Sequence, residues 1–117
     1  MKVAVAVWND RISPVFDVSK RILVHTIEEG VVRSKKEHTF DSDDAAYKVQ
    51  LLKALHVNTL ICGAVSQQLA DMIATHGIET ISFVVGDTQE VIAAYLDGLL
   101  PSPELTMPGY GKQRTEA

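Results

Sequence analysis

The sequence predicts a single α/β domain, a three-layer α/β/α sandwich built on a mixed sheet. Three features carry this. The chain has 117 residues, the length of one domain. Short β-branched runs are followed by segments of helical periodicity, in the order β-β-β-α-β-α-β-α. The first of those runs, Val3 to Trp8, is apolar on both faces, as a central strand covered by helices on both sides must be.

After this first strand, Asn9 to Ser19 contains Asn, Asp, Ser and Pro14 and breaks the periodicity. It reads as a long loop of the kind that carries function. Arg21 to Ile27 is the second strand, and Glu28-Glu29-Gly30 is the turn of a hairpin. Val31 to Phe40, the third strand, is dense in charge, which suits a sheet edge protected from pairing with other molecules.

Asp41-Ser42-Asp43-Asp44 supplies caps and negative charge where a first helix begins, and Ala45, Val49, Leu52 and Leu55 follow at helical spacing. Asn58 to Cys62 is the fourth strand, bounded by Gly63. Ser66 caps a second helix that buries Leu69 and Ile73 and stops at Gly77. Glu79 to Val85 is the fifth strand. Asp87-Thr88-Gln89-Glu90 then opens a third helix, closed by Gly98.

Right-handed crossovers around a central first strand give a five-stranded mixed sheet of order 3-2-1-4-5, with strand 2 antiparallel. This is a ribonuclease H-like arrangement. Residues 1–100 form the expected domain. Residues 101–117, with Pro101, Pro103, Pro108, Gly109 and Gly111, are expected to be a flexible C-terminal tail.

Hydrophobic residues make up 46% of the chain and charged residues 22%, the proportions of a folded globular domain. The formal charge of −4 has the wrong sign for gripping phosphate backbones, so nucleic acid is not expected as a partner. The N-terminal apolar run is interrupted by Asn9, Asp10 and Arg11, too early for a secretory signal or a membrane span. The single cysteine, Cys62, excludes an intramolecular disulfide and an all-cysteine metal site within one copy. A cytoplasmic location fits.

Ligands of open α/β sheets bind at the carboxyl ends of the strands, where successive connections diverge. The expected crevice lies between the first and fourth strands, at the N-terminus of the second helix, where an anion is favoured. Arg11, Lys20 and Arg21 would add positive charge around it. Cys62, near that helix start, is expected to have a lowered pKa and to serve as a soft metal ligand; the alternative is a small buried hydrophobe. His25, His38, His56 and His76 are scattered and no pair has ligand spacing.

Ile12-Ser13-Pro14-Val15-Phe16-Asp17, Leu60-Ile61-Cys62-Gly63-Ala64-Val65-Ser66, Gly86-Asp87 and Met107-Pro108-Gly109 together resemble the dinitrogenase iron-molybdenum cofactor biosynthesis family, that of NifX and the C-terminal domain of NifB. The resemblance runs through nearly the whole chain in order. It implies a ribonuclease H-like fold and a non-catalytic role in binding or carrying a metal-sulfur cluster, of the iron-sulfur/molybdenum type or of the molybdenum-copper-sulfide type of the orange protein. Cluster-donor or cluster-acceptor proteins would be its partners. Many relatives have a cysteine after Met-Pro-Gly in the tail, where this chain has Tyr110.

On this reading Arg11, Ser13, Phe16, Cys62, Gly63, Ala64 and Ser66 form the cofactor pocket, with Cys62 as the metal ligand. Glycine permits close backbone approach and Phe16 excludes water. The alternative for Ser13-Pro14 and Phe16 is turn shaping and packing. Two competing functions stand beside it. A metal-dependent nuclease would need converging carboxylates, and Asp10 and Asp17 lie in a loop with no acid ending the fourth strand. A protein interaction module without a cluster is compatible with the charged edge and the tail.

Overall fold

A computed structural model describes residues 1–108. The strands are β1 (Lys2–Trp8), β2 (Arg11–Ile12), β3 (Arg21–Glu28), β4 (Val31–Thr39), β5 (Thr59–Ile61) and β6 (Glu79–Ile81). The helices are α1 (Ala45–Ala54), α2 (Gln67–Thr75) and α3 (Thr88–Leu96). The sheet runs β4-β3-β1-β5-β6, with β2 off this path and paired to β1. β1 is antiparallel to β2 and β3 and parallel to β5, which is parallel to β6.

Alternation along β1 divides the core in two. Ala4 and Ala6 face a cluster with Val49 and Leu52 of α1 and Leu69 and Ile73 of α2. Val3 and Val5 face the opposite cluster, with Val91 and Ile92 of α3. The small alanines let two helices approach one face of the strand, while the branched valines fill the face that α3 covers. Caps fix where the helices start: Asp44, Ser66 and Asp87 each accept a hydrogen bond from a first-turn backbone N–H.

The structure departs from the sequence expectations at three places. The stretch expected to be one long loop contains a sixth strand, because Asn9 (φ 51°) and Asp10 (φ 62°) both take the left-handed conformation of a tight two-residue hairpin. β6 ends at Ile81 rather than Val85, since Phe83 turns the chain at φ 62°.

The third departure concerns the tail. Leu105 is buried in the α3-side cluster, its carbonyl accepts from Val85 N–H at 2.8 Å, and Met107 N–H donates to the Phe83 carbonyl at 2.8 Å. Apolar burial and a bridge between Val84 and Thr106 thus hold residues expected to be flexible. Gly109 to Ala117, including Tyr110, lie outside the described residues. Among the described residues no helix is long and apolar enough to cross a membrane.

Candidate functional site

The expected crevice between β1 and β5 is filled by the chain itself. Ser13 N–H donates to the Ala6 carbonyl (3.0 Å), Ala64 N–H to the Pro14 carbonyl (2.8 Å) and Phe16 N–H to the Ala64 carbonyl (2.7 Å). Gly63 makes this possible: a Cβ there would lie 2.5 Å from both the Ser13 and Pro14 carbonyl oxygens. The glycine therefore admits another backbone, leaving no room at its Cα for a ligand.

The start of α2 is likewise occupied. Asp17 Oδ1 accepts from Ser66 N–H at 2.8 Å, and Ser66 Oγ accepts from Leu69 N–H at 3.3 Å. The anion that this helix end attracts is a carboxylate of the same chain.

Lys48 locks the loop from beneath. Its side chain is fully buried, and its Nζ donates to the carbonyls of Phe16 (2.7 Å), Asp17 (2.7 Å) and Ser19 (3.0 Å). Burial holds its pKa below the usual lysine value, offset only in part by the Asp43 carboxylate 3.7 Å away. Nothing local in the sequence marks this lysine, because an exposed helical lysine has the same pattern.

The open space lies on the other side of β1, towards β3: a cavity of about 590 Å³. Trp8, Asn9, Asp10 and Ser13 form one wall, and Val18, Ser19, Lys20, Arg21 and Glu37 the other. Trp8 and Val18 are more than half exposed. Lys20 Nζ sits 2.9 Å from both Asp43 carboxylate oxygens, which holds Asp43 below the usual carboxylate range, and Arg21 Nε is 3.9 Å from Glu37. Each cation at the cavity thus has a carboxylate that an incoming anion must displace.

Six of the seven residues expected to form a pocket come together, packed against one another and not around an open space, and Arg11 stands apart. Ser13 lines the cavity. Arg11 stands exposed on β2, its backbone paired with that of Asp87 in an isolated antiparallel β-bridge, away from the cavity lining. Phe16 is fully buried and packs edge-on against Phe40, with centroids 5.8 Å apart. Gly63, Ala64 and Ser66 are engaged with the Ser13–Asp17 loop.

Cys62 reverses its expected chemistry. It is fully buried in the α1/α2-side cluster, and burial, aided by Asp17, pushes its thiol up to about 12. A strand-end cysteine takes the character of its packing, and here the packing is apolar and α2's dipole is answered by Asp17. Among the described residues no three His, Cys, Asp or Glu side chains are placed to hold a metal ion. The cavity's indole, guanidinium, ammonium, hydroxyl and amide groups suit an anion that brings its own metal ligands, and the carboxylates of Asp10 and Glu37 in the same lining oppose it.

Residues 1–98 match the family model described as dinitrogenase iron-molybdenum cofactor. The chain belongs to this family. A dinitrogenase iron-molybdenum cofactor family chain is thus what carries the cavity beside β1. A protein described as a candidate dinitrogenase from Methanocaldococcus jannaschii is 27% identical, with a TM-score of 0.69, covering 85% of this chain and 90% of its own.

Two structures below a quarter identity share the fold. The apo orange protein from Desulfovibrio gigas has a TM-score of 0.71 at 16% identity, covering 90% of this chain and 94% of its own. A candidate NifB protein from Thermotoga has a TM-score of 0.63 at 23% identity, covering 84% and 89% respectively. No curated protein sequence matches the chain.

Proposed function

We propose that this protein binds or carries a metal-sulfur cluster without catalysing a reaction, and that the cavity between β1 and β3 receives it. The observation that carries the reading is the family match over residues 1–98. A cavity of about 590 Å³ lies in the usual range of ligand sites, about 300–1,000 Å³, and lies where the central strand ends. The sheet order with its crossovers agrees with a ribonuclease H-like arrangement.

Arg21 and Lys20 would meet the cluster's negative charge, with Ser13 and Asn9 as hydrogen-bond donors and Trp8 as an apolar wall. Cargo of the iron-sulfur/molybdenum type or of the molybdenum-copper-sulfide type both satisfy this description. Cys62 would act as a ligand only if the loop over it opened, so the reading rests on charge and shape. A cytoplasmic location, with neither nucleic acid nor membrane as partner, belongs to the same proposal.

Anaerobic reconstitution tests it, once with iron and sulfide and once with tetrathiomolybdate and copper(I). Trp8 is the only tryptophan and lines the cavity, so its emission should be quenched in step with metal bound per chain. Folded protein that takes up no stoichiometric metal and leaves Trp8 emission unchanged in both arms would overturn the reading.

The exposed Trp8 and Val18 at the cavity also favour a second role, docking of a cluster-donor or cluster-acceptor protein. Stoichiometric co-purification of a partner by the wild type, lost in Trp8→Ala, would support it. Co-purification unchanged by that substitution would exclude this surface.

A further inference from the structure

α3 is the one α-helix on its face of the sheet among the described residues, and it does not close that face. Between α3 and the β3–β4 hairpin lies a second cavity of about 270 Å³. Leu23, Val32, Ile92 and Leu96 give it apolar walls.

One cationic side chain opens onto it, Lys35 of β4, beside its cross-strand partner His25 of β3. α3 contributes Thr88 and Gln89, which do not titrate, and no carboxylate lines the space. Lys20, Arg21 and Lys48 each have an acidic partner, whereas Lys35 makes no ion pair among the described residues. His25 is 4% exposed, and its Nδ1 lies 3.4 Å from the Val3 carbonyl oxygen.

A cation beside apolar walls discriminates between kinds of ligand. An inorganic anion would pair with Lys35 and leave the walls wet; a neutral hydrocarbon would dry the walls and leave Lys35 unanswered. A molecule with one negative end and an apolar body does both. We infer that this cavity binds a small organic carboxylate with an alkyl tail, its head on Lys35 and its tail along Leu23, Val32, Ile92 and Leu96, with the His25 ring beside the head. The site is separate from the proposed cluster cavity and does not depend on that reading.

The test is an NMR titration of the full chain with octanoate, with octanol and with inorganic phosphate, following the His25 ring and the Ile92 methyls. Octanoate should shift both saturably, and bind at least about tenfold more tightly than octanol or phosphate. Lys35 is exposed, so Lys35→Ala should fold normally; it should weaken octanoate about tenfold and leave octanol unchanged. Absence of saturable octanoate shifts, equal affinity for octanol or phosphate, or octanoate binding indifferent to Lys35→Ala would each overturn the inference.

Discussion

Lys48 Nζ donates to the Phe16 carbonyl at 2.7 Å and lies 5.2 Å from the centroid of the same residue's ring. One buried ammonium therefore holds both the backbone and the aromatic face of the loop residue that packs beneath the strand ends. The Phe40 ring, 5.0 Å away, completes its apolar surroundings.

Replacing Lys48 with methionine keeps the volume and removes its three N–H donors, stripping the buried carbonyl of Ser19 and the partly buried one of Asp17 of this partner, while the Phe16 carbonyl keeps the Ser19 N–H at 3.0 Å. The expected loss is about 3 kcal/mol, since each buried unsatisfied acceptor costs about 1–3 kcal/mol. Urea unfolding measures it, and amide exchange should quicken first at residues 16–19. A loss below about 1 kcal/mol would show that the loop is held by its own packing.

Gly63→Ala places a Cβ 2.5 Å from two backbone oxygens, atoms that cannot swing aside as a flexible side chain would. We expect destabilisation of about 2–3 kcal/mol, at the upper end of overpacking costs. Ala64→Gly, with no such contact to relieve, serves as the control. If Gly63→Ala melts with the wild type, the Ser13–Pro14 segment is free to move away.

Cys62 should resist iodoacetamide at pH 8 in the folded protein and react once urea unfolds it. Its pH dependence has a defined sign. The folded thiol keeps its proton to about 12 whereas the ordinary value is 9.0, so above pH 9 the folded state holds the extra proton and stability falls as pH rises. The slope from this group is at most about 1.4 kcal/mol per pH unit, and Cys62→Ala should flatten it. An identical alkaline slope in that variant would assign the effect to other groups.

His25 gives the acid-side counterpart. Burial holds its pKa below 6.5, and the Val3 carbonyl opposes this while Lys35 reinforces it. The unfolded chain therefore binds the proton first: this contribution is intact above pH 6.5 and is lost as pH falls from there towards the folded value. Chemical denaturation of the wild type and His25→Leu at pH 7.5 and pH 5 should show the smaller acid loss in the variant. Equal losses would place the acid sensitivity elsewhere.

The element order, the caps at Ser66 and Asp87 and the charged edge strand β4 were legible because each depends on a few adjacent residues. Asp87 caps α3 through N–H groups two and three positions away, a pattern readable in any window of four residues. The family resemblance was legible for the same reason, as short motifs in fixed order. The candidate site was much less so. Of seven residues expected to converge, one lines the cavity, and Trp8, a cavity wall, was read only as the end of a strand.

What failed to be legible were contacts between segments far apart in sequence. That Asp17 would answer the start of α2 is decided across 49 positions, and that Lys48 would turn inward across about thirty. The docking of Leu105 onto Val85 likewise needs the finished sheet to dock against. The sequence by itself therefore determined the elements, their order and the family, through local propensity and the periodicity of burial. Only the tertiary structure decided which crevice stays open and whether Cys62 is a thiolate or a core residue, because desolvation and close backbone approach depend on neighbours that folding supplies.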